Sequence, residues 1–419
     1  MKSFILNSSN VRRDSSIWNM IGSLVMSFQS VIFLMILTRT VSITESGIFT
    51  IAYANANLFL NIGKYGMRNF QVSDVNNDFS FREYLSSRHI TTVIMVFLLI
   101  LYTIYSAKSY NYSIEKSQII IWMCLFKVSD SIEDVYYGDY QKKERLDIAS
   151  KAMALRAIIT IIIFGIIVVM TKNLLFTLIV STTITSVLMI IFLKWTFPQF
   201  DDSIRVRKGY TLRLLKNCFP VFISAFLSFY IGNAPKYAID SQLTDELQAC
   251  YGFIAMPVFV VGLLNGFVFV PVMYRLSCMW NENKILAFLK NVFVQIVVVF
   301  LITIVCIVGA YICGIPVLSV LYNTDLSPYK IELLILLLGG GFLGLSGVLG
   351  AVIIIMRYQK ALAFGYGGVS AVAFVVSNGI VKSYGIMGAS ALYTILMMLL
   401  CVFFLIIIIY GVVKTRRGY

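Results

Sequence analysis

The sequence predicts an all-α, polytopic membrane protein with about 12 transmembrane helices in two bundles of six. Three observations support this fold class. The composition is 59% hydrophobic and only 13% charged, which leaves too little polar surface for a soluble globule. Twelve apolar stretches of about 20 residues, each able to cross a hydrocarbon core of roughly 30 Å, fill almost the whole chain. Lys and Arg fall mainly into every second connection between these stretches.

The predicted spans follow one another with only short connections. They begin near Ser16, Thr44, His89, Ser117, Ala149, Asn173, Leu215, Cys250, Leu286, Ile331, Lys360 and Gly385. The longest predicted outer connection, from Gly314 to Lys330, is too short to fold alone. The sequence therefore predicts no extracytoplasmic catalytic domain.

The distribution of cations predicts the orientation. Of the 34 Lys and Arg residues, 25 lie in connections on the predicted inner side and 7 on the outer side, while Lys127 and Arg156 lie within spans. The positive-inside rule places both termini in the cytoplasm. The net charge of +14 mostly reflects this bias, so it does not indicate nucleic-acid binding.

A weak internal repeat predicts two halves. Tyr140-Gln141-Lys142 leaves the fourth span, and Tyr358-Gln359-Lys360 leaves the tenth, six spans later. We expect one six-helix bundle in residues 1–200 and a second in residues 201–419. An even number of spans gives both bundles the same orientation, which predicts a pseudo-twofold axis along the membrane normal and a substrate site between the halves.

Polar stripes mark three predicted spans. Asn57, Asn61, Lys64 and Arg68 share a face of the second span, which should not point at lipid. The other stripes are Asn19, Ser23, Ser27 and Ser30 on the first span, and Ser224, Ser228, Gly232 and Lys236 on the seventh. Their helical spacing fits a cavity wall, and it fits close helix packing by small residues equally well.

The fourth span is the most charged. Lys127, Asp130 and Asp134 lie on one helical face with Glu133 beside them, and ionisable groups at this depth usually face a partner, a cavity or a pathway. One interpretation is a self-contained Lys127–Asp130 pair. The other makes Lys127 an anion anchor and Asp130 or Glu133 a coupling site for a proton or cation. Arg156 in the fifth span either joins such a site or extends to the inner headgroups.

The outer end of the seventh span contains a proline. Pro235 within Asn233–Asp240 frees a backbone carbonyl and can bend the helix, while Lys236 and Asp240 have the spacing to pair across one turn. This pattern fits a gate and also fits an ordinary helix end.

Four segments carry a family resemblance along essentially the whole chain. They are Arg39 followed by Glu45–Phe49, Ile62–Asp74, Asn233–Asp240, and Gly314–Leu318 with Leu321-Tyr322. In these segments the chain resembles the Wzx-type flippases of O-antigen and capsule synthesis, in the superfamily of the lipid II flippases and the multidrug and toxin extruders. The resemblance implies transport of an undecaprenyl-pyrophosphate-linked oligosaccharide from the inner to the outer leaflet of the bacterial cytoplasmic membrane, by alternating access driven by a gradient of H⁺ or Na⁺.

This substrate assigns roles to the polar residues. A pyrophosphate must be neutralised when it leaves water, and the expected cations are Lys127, Arg39, Lys64, Arg68, Lys236, Arg156 and Arg275. The expected glycan contacts are Asn57, Asn61, Ser224 and Ser228. The expected ion-coupling carboxylates are Asp130, Glu133, Asp134 and Asp240. Membrane lipids, a polysaccharide polymerase and a chain-length regulator are the expected partners.

Two other functions share some of these features. A multidrug and toxin antiporter would have the same fold, but cationic drugs favour a cavity dominated by carboxylates. A membrane glycosyltransferase or polymerase would need a large outer loop. Gly63-Lys64 is followed by Tyr65 and lacks the spacing of a P-loop, and the seven cysteines have no metal-type spacing. The sequence thus predicts no enzyme activity, no cofactor and no bound metal.

Overall fold

The computed structural model describes residues 1–74, 77–199, 207 and 209–417, and its regular structure is helical. The α-helices are α1 (Lys2–Leu6), α2 (Val11–Thr40), α3 (Ile43–Lys64), α4 (Met67–Ser73), α5 (Phe81–Tyr110), α6 (Ile114–Lys142), α7 (Leu146–Thr171), α8 (Leu174–Thr196), α9 (Tyr210–Gln242), α10 (Asp245–Asn281), α11 (Ile285–Gly309), α12 (Ile315–Tyr322), α13 (Lys330–Ile355) and α14 (Gln359–Arg417).

The predicted spans correspond to helices. Helix α14 contains two of them, because Gly385 interrupts it with φ 57° and ψ −138°, a conformation that only glycine adopts readily. By length and apolar composition alone, eight of the described helical stretches qualify as membrane-crossing, and one of these eight covers both halves of α14. Helices α3, α6 and α10 are not among the eight, which for α3 and α6 agrees with their polar side chains.

Side-chain caps define where the spans begin. Ser42, Ser113 and Thr244 each accept a hydrogen bond from the backbone N–H three residues later, at the starts of α3, α6 and α10. Ser80 and Glu83 form a reciprocal capping box at the start of α5. These contacts satisfy backbone donors that a helix start leaves without partners.

One predicted connection is partly wrong. Within the segment from Gly314 to Lys330, α12 is helical and continues α11 through a short π-helical segment, Ala310–Gly314. Ile315, Leu318 and Tyr322 are buried along one face of α12, so packing of an apolar face extends the ninth span beyond its predicted end.

The described chain divides into two compact units, Met1–Phe226 and Leu227–Tyr419. The first unit contains α1 to α8 and the start of α9, and thus six of the predicted spans. The second contains the rest of α9 and the later helices, which make up the other six. The division at residues 200 and 201 stays a prediction, and residues 200–206 and 208 lie outside the described residues.

An aromatic cluster forms the core of the first unit. Phe33 of α2 stacks on Phe164 of α7 with ring centroids 3.9 Å apart, and both meet Phe49 of α3 edge-on. Phe126 of α6 also packs against Phe33. Because all four rings are buried, the cluster fixes four helices around the charged part of α6.

Glycines allow close helix packing in the second unit. A Cβ atom at Gly339 would lie 2.6 Å from the ring of Tyr393 on α14, and one at Gly341 would collide with Thr303 on α11. Close packing at Gly339 and Gly341 therefore depends on the missing side chains, whereas Gly347 has open space beside it.

Candidate functional site

The polar stripe of α3 forms the open face of a helix that is otherwise buried in the first unit. Tyr53, Asn57, Asn61 and Lys64 are partly exposed, while the small and apolar residues between them are buried. The side-chain amide of Asn57 donates to the carbonyl of Tyr53 at 2.8 Å, and that of Asn61 donates to the carbonyl of Asn57 at 2.9 Å. Each amide oxygen is thereby left to accept hydrogen bonds from outside the helix.

The turn after α3 adds a second accessible cation. Tyr65 and Gly66 both adopt left-handed backbone conformations, with φ 51° and 65°, and so end α3 and start α4. Arg68 then donates to Gln141 Oε1 at 3.0 Å and lies 3.8 Å from Asp134, with its side chain 30% exposed. Lys64 and Arg68 therefore lie near each other at the predicted inner end of the stripe.

A buried charge cluster lies behind this stripe. Lys127 contacts Asp130 at 2.9 Å, and Arg156 of α7 contacts Asp130 at 2.6 Å and Glu133 at 2.9 Å. Arg156 also donates to Thr185 of α8 at 2.8 Å. Two cations thus balance two carboxylates. The interpretation in which Arg156 extends to the headgroups is wrong, because its side chain is buried between these partners.

Lys127 is too deeply buried to contact a ligand directly. Its side chain is only 3% exposed, and its ammonium lies 4.9 Å from the centroid of the Tyr53 ring, a cation–π contact. Tyr53 therefore separates Lys127 from the open face of α3. At this position the charge of Lys127 contributes to the potential at the stripe, while Tyr53, Asn57, Asn61 and Lys64 form its surface.

A third group joins the cluster to the inner end of α3. Arg88 of α5 is fully buried, contacts Asp134 at 2.8 Å and donates to the carbonyl of Gly63 at 2.7 Å. Sequence reasoning placed Arg88 in an inner connection and missed this role. The capping box at Ser80 and Glu83 was the available signal, because it starts α5 at Phe81 and puts Arg88 two turns inside the helix.

The remaining predicted site residues lie on α2, α9 and α10. Ser224 Oγ donates to the carbonyl of Pro220 at 2.9 Å, whereas Ser228 interacts with the Tyr366 hydroxyl of α14. Arg39 and Arg275 are exposed on α2 and α10.

Lys236 and Asp240 lie on the same helix, α9. Asp240 is buried and Lys236 is partly buried. Within the described part of the chain Lys236 forms no ion pair, so the suggested pairing with Asp240 does not form. Lys236 differs in this respect from Lys127 and Arg156.

The model of one family matches most of the first unit and continues into the second. It is described as "Polysaccharide biosynthesis protein" and matches residues 13–277. The chain belongs to the polysaccharide biosynthesis protein family. A capsular polysaccharide biosynthesis protein, CapF of Staphylococcus aureus, is 22% identical over 286 residues, which cover 66% of this chain and 70% of CapF.

Solved structures show that this family member has a transporter fold. The lipid II flippase MurJ in an inward closed conformation matches with a TM-score of 0.70 at 14% identity, covering 94% of this chain and 89% of MurJ. A multidrug resistance MATE family transporter in an inward-facing conformation matches with a TM-score of 0.65 at 11% identity, covering 96% and 98%. Family and fold together make the chain a multi-pass membrane protein of polysaccharide biosynthesis with the fold that MurJ and the MATE transporter share, as the sequence predicts.

Proposed function

We propose that this family member is a flippase that carries an undecaprenyl-pyrophosphate-linked oligosaccharide from the inner to the outer leaflet of the bacterial cytoplasmic membrane by alternating access. The observation that carries the proposal is the open face of α3, which is polar and ends in Lys64 and Arg68 on a helix that is otherwise buried. The family supports a role in polysaccharide biosynthesis, and the named activity of MurJ, a lipid II flippase, supports the type of transport.

The charge balance around α3 favours an anionic headgroup. The buried cluster and the inner end of the stripe together contain five cations (Lys64, Arg68, Arg88, Lys127 and Arg156) and three carboxylates (Asp130, Glu133 and Asp134), a surplus of two positive charges. A diphosphate that leaves water needs compensating charge. The two accessible cations, Lys64 and Arg68, are suited to direct contact. The same surplus of positive charge would repel a cationic drug, which argues against a multidrug antiporter.

The other parts of the substrate fit the same face. Sugar hydroxyls donate and accept hydrogen bonds, and the amides of Asn57 and Asn61 provide acceptors along the stripe. The polyprenyl tail is apolar and remains in the bilayer, so only the headgroup passes the polar surface. We assign no headgroup contact to Arg39 or Arg275, whose side chains are exposed on α2 and α10.

Glu133 is the proposed coupling carboxylate. Asp130 is shared by Lys127 and Arg156, whereas Glu133 contacts one cation, Arg156, through Oε2 and has the Tyr137 hydroxyl beside it. A buried carboxylate that a single cation contacts can take up a proton or a Na⁺ ion. Binding of a proton or Na⁺ at Glu133 would weaken its ion pair with Arg156. The ion gradient would thereby be coupled to the packing of α7.

Lys236 is the proposed anion contact of the second unit. We expect Lys236→Ala to lower transport by about tenfold to a hundredfold, because a hydrogen bond to a charged group contributes about 1.5–3 kcal/mol. Lys236→Arg should retain most activity, since it keeps the charge. The measurement is surface polysaccharide in a complemented deletion strain, with Lys108→Ala, an exposed cation of α5, as the control. Wild-type transport in Lys236→Ala would remove this residue from the site.

A vesicle assay tests the proposed function in isolation. The purified protein is reconstituted with undecaprenyl-diphosphate oligosaccharide that carries a dye on its glycan, and a membrane-impermeant quencher is added outside. We expect the protected inner-leaflet dye to become accessible, faster with an imposed H⁺ or Na⁺ gradient. Protection equal to that in protein-free vesicles would contradict the proposal, and movement of cationic drugs instead would favour the multidrug antiporter.

A further inference from the structure

A polar cavity lies within the first unit, beyond the inner end of the open face of α3. It has a volume of about 770 Å³ and forms where α4, the start of α5 and the end of α6 meet. Its wall includes Gln71, Phe79, Tyr84, Asp139, Lys142 and Arg207. This volume is in the range of sites that bind small organic ligands, and the predicted orientation places the cavity on the cytoplasmic side.

Gln71 is the feature of this wall that points to a ligand. Its side chain is 1% exposed, and neither Nε2 nor Oε1 has a hydrogen-bond partner among the described residues. A buried polar group without a partner is destabilising. In folded proteins such groups usually form a hydrogen bond to another protein group, a water molecule or a ligand. A carboxamide both donates and accepts, so its partner should also do both.

The charges of the wall are already balanced. Lys142 lies 3.7 Å from Asp74, and Lys143 lies 3.2 Å from Asp139. Arg207 contacts Glu83 at 2.8 Å. Unlike the α3 face, the described part of this cavity wall therefore has no surplus of cations to attract a phosphate. It suits an uncharged, hydroxyl-bearing ligand.

Aromatic residues complete the wall. Phe79, Phe81 and Tyr84 line the cavity beside the polar groups, and they offer an apolar surface on which the C–H face of a sugar ring can lie. Ligand sites commonly combine such apolar walls with a few placed polar groups. The combination matches a sugar, which has hydroxyls at its edge and C–H groups on its faces.

The cavity begins one helical turn from a proposed diphosphate contact. Arg68 and Gln71 are three residues apart on α4 and lie on the same side of it. Both pack against Gly138 of α6, where an added Cβ would lie 3.3 Å from Arg68 Cγ and would collide with Gln71 Oε1. A diphosphate held at Arg68 would thus place its attached glycan near Gln71.

From this arrangement we infer that the cavity binds a neutral sugar residue of the lipid-linked glycan through the Gln71 carboxamide. This inference rests on the proposed flippase function, and it adds a sugar site that is separate from the α3 face. Such a site would distinguish a completed glycan from bare carrier lipid before transport.

The test compares two lipids that differ only in the glycan. Binding of the full-length protein in detergent is measured for undecaprenyl-diphosphate oligosaccharide extracted from the host and for undecaprenyl diphosphate without sugar. We expect Gln71→Leu to weaken binding of the glycan-bearing lipid at least about tenfold, the effect of losing about 1.4 kcal/mol of hydrogen bonding. The dissociation constant of the bare lipid should change less than about twofold in the same variant.

Gln248→Leu is the matched control. Gln248 is also buried with both amide atoms unpaired among the described residues, but it lies on α10 outside the cavity. It should leave binding of both lipids unchanged. Gly138→Ala is a second test variant, because its methyl group displaces the Gln71 amide, and it should weaken binding of the glycan-bearing lipid more than binding of the bare lipid, which Arg68 contacts. Thermal unfolding without ligand should not be lowered by Gln71→Leu, since that change removes unsatisfied buried groups.

Three results would overturn the inference. Unchanged glycan-lipid binding in Gln71→Leu would mean that water satisfies the amide. An equal loss for both lipids would assign Gln71 to the diphosphate or to the fold. Equal binding of both lipids by the wild-type protein would show that the glycan contributes nothing to binding. That result would contradict the sugar site and leave the flippase proposal intact. Only failure of the wild-type protein to bind either lipid would refute the proposed function and the inference together.

Discussion

Arg156→Ala is expected to destabilise the protein by about 3–5 kcal/mol, the usual cost of breaking a buried ion pair from one side. The reason is that Asp130 and Glu133 would keep their burial and lose the cation that contacts both of them at 2.6 and 2.9 Å. The measurement is the thermal unfolding midpoint of the purified protein in detergent. Arg39→Ala is the control, because Arg39 is exposed and such changes usually stay within about 0.5 kcal/mol.

A double variant separates the charge effect from lost packing. Arg156→Met with Glu133→Gln leaves the Lys127–Asp130 pair balanced, and it should recover much of the stability lost in Arg156→Ala. If Arg156→Ala unfolded at the wild-type temperature, the cluster would not stabilise the first unit, and the description of α6, α7 and α8 as joined through Arg156 would be wrong.

Lys64→Ala is expected to lower transport about tenfold to a hundredfold while changing the unfolding midpoint much less than Arg156→Ala does. Lys64 forms no ion pair within the described part of the chain, and its charge acts on Asp130 only after those of Lys127 and Arg156, so Asp130 keeps both contacting cations when Lys64 is removed. A lost charged contact with the diphosphate corresponds to about 1.5–3 kcal/mol. Transport is measured as dye accessibility in the vesicle assay, with Lys64→Arg expected to be mild.

Lys194→Ala provides the matched control for Lys64, because Lys194 is an exposed cation at the predicted inner end of α8. Arg68→Ala is a less specific variant, since Arg68 also bonds Gln141 and approaches Asp134. Equal transport by Lys64→Ala and the wild-type protein would show that the α3 face does not contact the headgroup.

The fold follows closely from the sequence because a membrane imposes length and polarity on each helix. Every predicted span corresponds to a helical segment, and the kink at Gly385 lies where the twelfth span was predicted to begin. The continuation of α11 into α12 was missed, since the short apolar face of Ile315, Leu318 and Tyr322 shows its role only when it packs.

The site is less predictable, because burial and partners depend on neighbouring helices. The sequence left open whether Lys127 pairs with Asp130 or anchors an anion. The structure shows the pair and adds Arg156, 26 residues away in the chain. Arg88 was placed in a connection although it lies fully buried in α5. The stripe of Asn57, Asn61 and Lys64 was visible in advance, since its members share one helix face.

The leaflet position of the lipid-linked repeat unit in a strain without this gene tests the central claim most directly. Surface polysaccharide is measured together with the accessibility of undecaprenyl-linked glycan from each side of the membrane, and the wild-type gene is returned as a control. The flippase account predicts loss of surface glycan, with complete repeat units trapped facing the cytoplasm. Complete units that already face outward but stay unpolymerised, or unchanged surface glycan with altered drug sensitivity, would contradict it.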